Sequence, residues 1–200
     1  MNLPNKISIF RMCCMPVMVL LFFLPIPYGI GVFCALAVYV VGSLSDFVDG
    51  HIARKYNLIT DFGKFIDQIA DKALSTAALI MVLFSGVIEW NWACAIVLII
   101  IVSRDVIVGG VRQVAANKGV VIAAGWTGKI KSNFIDVGVG ILITFVGLCR
   151  VLKDSGTSIK FISYIGFSGV VIGAVLSLVS CIEYIIKALP FLKETNDKNA

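Results

Sequence analysis

The sequence predicts an all-α integral membrane protein with six transmembrane helices and both termini in the cytoplasm, and three observations carry that expectation. Hydrophobic residues make up 59% of the 200-residue chain and the mean hydropathy is +0.98, against about 45–50% apolar content in soluble domains. Apolar stretches recur at 7–24, 30–48, 65–87, 93–111, 134–152 and 159–188, each near or above the roughly 20 residues a helix needs to cross the hydrocarbon core. The cations are divided unevenly between the two sides of those stretches, which sets the orientation. Residues 1–200 read as a single membrane domain whose final stretch, about ten residues, is a polar tail.

The first stretch, Ile7 to Leu24, has no small-residue cleavage site, contains Pro16 and is followed by another long apolar run, so it reads as a retained helix rather than a signal peptide. With a cytoplasmic amino terminus, the second helix runs inward and ends near Arg54, and the third begins near Gly63 and runs outward. The fourth ends inward around Arg112, the fifth starts inward at Lys129, and the sixth returns the chain to the cytoplasm. Trp90 and Trp92 flank one short loop and Trp126 borders another, where amphipathic rings settle at headgroup level. In this arrangement fourteen Lys and Arg side chains fall on the cytoplasmic side, and only Arg150, Lys153 and Lys160 on the other. The net charge of +5 is thus mostly topology, with anionic membrane lipids as an added partner and no nucleic-acid footprint. The six cysteines lie in apolar runs without metal-ligand spacing, and the sole histidine, His51, has no second imidazole to share an ion with.

The chemistry is concentrated in one segment: Asp46, Asp49, Gly50, Ala53 and Arg54, then eight residues, then Gly63, Asp67 and Asp71. Asp46 and Asp49 stand at i and i+3, and Asp67 and Asp71 at i and i+4, so each pair projects from one helix face. Because the second helix ends and the third begins on the same side, both pairs lie at one depth. Four hard oxygen donors in that arrangement suit Mg²⁺ or Mn²⁺, and could hold two divalent ions about 3.5–4 Å apart. Aspartates that merely cap helices or pair at the surface are the simpler reading. It is disfavoured because each buried carboxylate costs roughly 2.5–3.5 kcal/mol at mid-membrane and four together repel, so a strong cation is required. Gly50, Ala53 and Gly63 leave room for a bulky ligand beside the carboxylates, and Arg54 offers a planar fork to phosphate oxygens.

The pattern DxxDGxxAR, eight residues, GxxxDxxxD resembles the signature of the CDP-alcohol phosphatidyltransferase family, and every fixed position is matched. The resemblance implies a six-helix membrane fold, a homodimer, and two divalent ions on Asp46, Asp49, Asp67 and Asp71. It also implies that Gly50, Arg54 and the Thr60 hydroxyl help hold the CDP moiety of CDP-diacylglycerol, and that Asp71 is the general base. The active site is expected to face the cytoplasm from the cell membrane.

The acceptor is read from weaker features. Arg104 and Arg112 lie about two helical turns apart on one face, and the following segment adds Lys129 and Lys131, a set able to clamp an anion. Arg104 sits within an apolar run and should seek a partner, for which Asp105 and Asp136 are available. With Asn2 to Asn5, Arg11 and Glu183, this set resembles the branch of the family whose acceptor is glycerol 3-phosphate. Inositol phosphate is the alternative, since it too presents a dianion. From another class, a cation transporter would also place aspartates in the membrane, but it should show inverted repeats, and the acidic motif has no second copy.

Overall fold

The computed structural model describes residues 3–55, 61–88, 90–117, 126–152 and 157–193, and all of the regular structure in them is helical. The helices are α1 (Leu3–Phe23), α2 (Ile30–Lys55), α3 (Asp61–Leu83), α4 (Asn91–Asn117), α5 (Trp126–Leu152) and α6 (Thr157–Lys193), with a short 3-10 turn at Pro27–Gly29. Helix is the form that satisfies every backbone donor and acceptor within one segment, which a lipid solvent demands. Among the described residues, Lys6–Phe23, Asn91–Ala115, Lys131–Leu152 and Ile159–Ile186 are long and apolar enough to cross a membrane, and α2 adds a shorter apolar run, Ile30–Asp46. The outer surface agrees: Leu20, Ile99, Val106, Val137, Phe161 and Ile182 are all exposed, an apolar covering suited to lipid.

The helices outrun the apolar stretches that predict them, mostly at one end. α2 continues to Lys55, α4 to Asn117 and α6 to Lys193, while α1 begins at Leu3, α3 at Asp61 and α5 at Trp126. All of these are ends placed on the charged side by sequence. Hydropathy senses only the hydrocarbon thickness, whereas a helix persists beyond it; α6, with 37 residues, spans about 55 Å. α3 instead stops short at Leu83, where Gly86 takes a left-handed conformation (φ +71°) in the turn that follows.

Packing in lipid depends on close backbone approach rather than on expulsion of water. α5 and α6 show this most clearly: a methyl group at Gly138 would fall 2.7 Å from the Gly166 carbonyl oxygen, and one at Gly173 would fall 2.5 Å from Ile135. α1 packs on α2 and α3, α5 on α2, and α4 on α6. The core between them is filled by Met18, Phe22, Tyr39, Leu74, Leu142 and Val146. At the end opposite the charges, Trp90 stacks on Tyr164 with ring centroids 5.7 Å apart, and Trp92 is exposed. All six cysteines are free thiols.

Candidate functional site

The site begins with the two helices that carry the aspartates. Asp46 near the end of α2 and Asp67 in the second turn of α3 both reach one nitrogen of Arg11, on α1: Arg11 Nη1 lies 2.7 Å from Asp46 Oδ1 and 3.1 Å from Asp67 Oδ1. Gly42 stands one turn before Asp46. A methyl group there would come 2.8 Å from the end of the Leu74 side chain on α3 and 3.8 Å from the Arg11 stem, so a larger residue would require Leu74 to move.

One turn beyond Asp67, Asp71 turns toward α4 and α5. Its Oδ2 is 3.2 Å from Lys72 Nζ, and Lys72 Nζ is 3.6 Å from Asp105 Oδ2 on α4. Asp105 is a hub. Its Oδ1 lies 2.7 Å from Arg104 Nη1 and 3.5 Å from Lys131 Nζ of α5. Lys72, Arg104 and Lys131 thus share Asp71 and Asp105, and with Asp136 on the same cleft three cations stand against three carboxylates. Arg104 is buried and fully engaged: Nε donates to the Ser177 carbonyl at 3.0 Å and Nη2 to the Ser180 hydroxyl at 3.1 Å, both on α6. Lys131 has only long contacts, to Asp105 and to Ser177 Oγ, each at 3.5 Å.

Between these helices lies a narrow cleft lined by Asp71, Lys72, Ser75, Asp105, Ser132 and Asp136 among others. Asp136 is held in place from two sides. The Ser75 hydroxyl donates to its Oδ1 at 2.7 Å and the buried Tyr39 hydroxyl donates to the same oxygen at 3.2 Å. The wall therefore presents three carboxylates, hydroxyls and one ammonium.

The structure brings together Asp46 and Asp67, and places Asp71 beside Lys72 at the mouth of the cleft. Gly63 lies in the first turn of α3. Asp49, Gly50, Ala53 and Arg54 stand on the last turns of α2, Arg112 on α4 and Lys129 on α5; for these the description stops at the helix backbone. Thr60 lies outside the described residues. Among the described residues no three Asp, Glu, His or Cys side chains close on one point. The donor chemistry nonetheless suits a divalent cation: two oxygen donors of the motif already converge on a positively charged group, the Arg11 guanidinium.

Of the two partners open to Arg104, the structure selects Asp105 and gives Asp136 to Tyr39 and Ser75. The sequence reading did not bring Lys72, Ser75, Ser132 or Tyr39 to the site. A signal for them exists in helical spacing: Tyr39 precedes Asp46 by seven residues and Ser75 follows Asp71 by four, polar groups on the acidic faces of their helices. The charge pattern is also more mixed than two opposed clusters, because Lys72 sits on the acidic helix and Asp105 on the basic one.

Comparison with known proteins bears on the family. The family model for CDP-alcohol phosphatidyltransferase matches residues 1–181. The chain is 38% identical to the CDP-diacylglycerol–glycerol-3-phosphate 3-phosphatidyltransferase of Bacillus subtilis over 141 residues, 66% of this chain and 70% of that one. It is 32% identical to the protein of the same name from Rickettsia bellii over 183 residues (92% of this chain, 93% of that one). With the protein of that name from Shigella flexneri serotype 5b the identity is 28% over 189 residues, 94% of each. Helical architecture, acidic motif and sequence similarity agree: the chain belongs to the CDP-alcohol phosphatidyltransferase family.

Proposed function

We propose that this protein transfers the phosphatidyl group of CDP-diacylglycerol to glycerol 3-phosphate, giving phosphatidylglycerol phosphate and CMP. The observation that carries the reading is the cleft in which Asp71 stands beside Lys72, with Asp105 tying Lys72 to Arg104 and Lys131 behind the wall. One wall can take a proton from an alcohol while the other receives the phosphate of the same molecule. The names of the similar proteins point to the same donor and acceptor.

In this proposal six helices span the cell membrane, both termini are cytoplasmic, and the cleft opens to the cytoplasm in each half of a homodimer. CDP-diacylglycerol keeps its acyl chains in lipid, with Gly50, Ala53, Arg54, Thr60 and Gly63 against the CDP moiety. Two divalent ions, Mg²⁺ or Mn²⁺, held by Asp46, Asp49, Asp67 and Asp71, would neutralise charge on the pyrophosphate. Lys131, with Lys129 and Arg112 on neighbouring turns, holds the acceptor phosphate; Arg104 fixes Asp105 and so the position of both lysines. Asp71 accepts the proton of the glycerol 1-hydroxyl, that oxygen bonds to the phosphorus bearing diacylglycerol, and the bond to the CMP phosphate breaks. A carboxylate is a weak base, so most of the acceleration is assigned to positioning and charge.

The test is CMP release by the purified protein from CDP-diacylglycerol, with glycerol 3-phosphate, inositol phosphate, inositol, serine and phosphatidylglycerol as acceptors, each with Mg²⁺, Mn²⁺ or EDTA. Release that requires glycerol 3-phosphate and a divalent ion is expected. Release with inositol phosphate alone would move the acceptor assignment, and none with any alcohol would sink the enzyme reading.

A further inference from the structure

Arg11 is the largest of the fully buried side chains, 1% exposed, in the middle of an apolar helix. A guanidinium does not shed its proton in a protein, so burial cannot be relieved by neutralisation and its charge must be met by acceptors inside the bundle. Many placements would have supplied one acid. The fold supplies two, Asp46 and Asp67, which lie 35 and 56 residues away and belong to the two acidic pairs of the motif.

The distribution of exposure across this triad is uneven in a way that separates it from an ordinary structural bridge. Arg11 is closed off, while the Asp46 and Asp67 side chains are 41% and 42% exposed. The cation therefore approaches the carboxylates from behind, out of the bundle core, and leaves their other side open. Without Arg11, two carboxylates at the membrane edge would face each other with no cation between them among the described residues, and like charges at such separation push neighbouring helices apart. At Gly42 the missing side chain leaves the Leu74 side chain of α3 directly against α2, next to the Arg11 stem.

We propose that Arg11 is the resident counter-ion of the acidic site: a positioning residue that holds Asp46 and Asp67 together from α1 before any divalent ion arrives. The inference rests on the proposed role of these aspartates as ion ligands. It assigns Arg11 no contact with either substrate. Its consequence is that Arg11 and a divalent ion partly substitute for each other in holding α2 against α3, so the loss of one is offset by the other.

The experiment uses the full chain in detergent. Mn²⁺ binding to the wild type is measured first by the disappearance of the free-ion EPR signal. Thermal midpoints are then compared for wild type, R11M and R11K in EDTA and in saturating Mn²⁺. Loss of a partner from a buried pair is expected to lower the R11M midpoint by about 10 °C in EDTA, with Mn²⁺ restoring most of the difference and R11K falling between the two. An R11M deficit that is equal in EDTA and Mn²⁺ would overturn the proposal, because it would assign Arg11 to packing alone; no deficit in EDTA would overturn it as well. Should R11M not accumulate, the triple variant R11M/D46N/D67N, which leaves no carboxylate facing another, is expected to do so, and failure of both sinks the idea. Wild type that binds no Mn²⁺ would instead remove the ion-ligand reading of the aspartates, an outcome distinct from any R11M result.

Discussion

Two arginines at opposite ends of the bundle, Arg11 buried and Arg150 partly exposed, are satisfied in different ways. Arg150, at the end with few charges, donates from Nη1 to the Phe22 carbonyl oxygen at 2.8 Å, and its guanidinium lies 5.0 Å from the centre of the Phe22 ring. It thereby caps the last turn of α1, whose carbonyls have no partner within the helix. Arg11, on the same helix's other half, gives its nitrogen to two ionised side chains. The first arrangement closes a structure: a backbone carbonyl stays put. The second links groups that can exchange partners when a charged ligand arrives. Ionisable side chains paired with one another, from Arg11 through Asp46 and Asp67 to Asp71, Lys72, Asp105 and Lys131, occur at one end of the bundle among the described residues. That end is where chemistry is proposed.

The contrast can be broken by substitution. The largest effect is expected at Asp71: D71N should lower kcat by about 10³-fold, the middle of the range for a lost general base, with the thermal midpoint nearly unchanged. Single-turnover CMP release with Mn²⁺ bound checks this, and near-normal turnover would reassign the base. Next, Lys131→Met should raise the KM for glycerol 3-phosphate by roughly 10–100-fold, as loss of a charged hydrogen bond implies, and leave the KM for CDP-diacylglycerol within about twofold. Arg104→Lys, already committed to Ser177, Ser180 and Asp105, should act more on stability than on that KM. The smallest effect on catalysis is expected at the other end. R150M should lower the thermal midpoint by about 5 °C through loss of the cap on α1, with kcat and both KM values unchanged. A kcat defect in R150M would erase the distinction between the two ends.

Much of the fold was legible because its determinants are local. Apolar runs near 20 residues give helices wherever lipid is the solvent, and their order followed from length alone. Helix ends were less evenly legible: α2 ends at Lys55, beside the expected Arg54, but α4 runs past Arg112 to Asn117 and α5 starts at Trp126, ahead of Lys129. The acidic motif was legible for the same reason as the helices: spacing of three and four residues puts two carboxylates on one face whatever the rest of the chain does. The partners were not. Arg11 read as a cytoplasmic-side cation and a feature of the branch, and Lys72 as one more cation, until packing placed the first against Asp46 and the second between Asp71 and Asp105.

The sequence by itself determined that this is a helical membrane protein with a four-aspartate signature, and it carried enough similarity to assign the family. Only the tertiary structure decided how the charges are shared. Arg104 went to Asp105 and α6, Asp136 went to Tyr39 and Ser75, and one nitrogen of Arg11 went to both acidic helices. Hydropathy and helical period act over a few residues, so they fix elements and faces. Which charged face meets which depends on how glycine-lined helices approach across 35 to 97 residues of chain, and that is settled by packing.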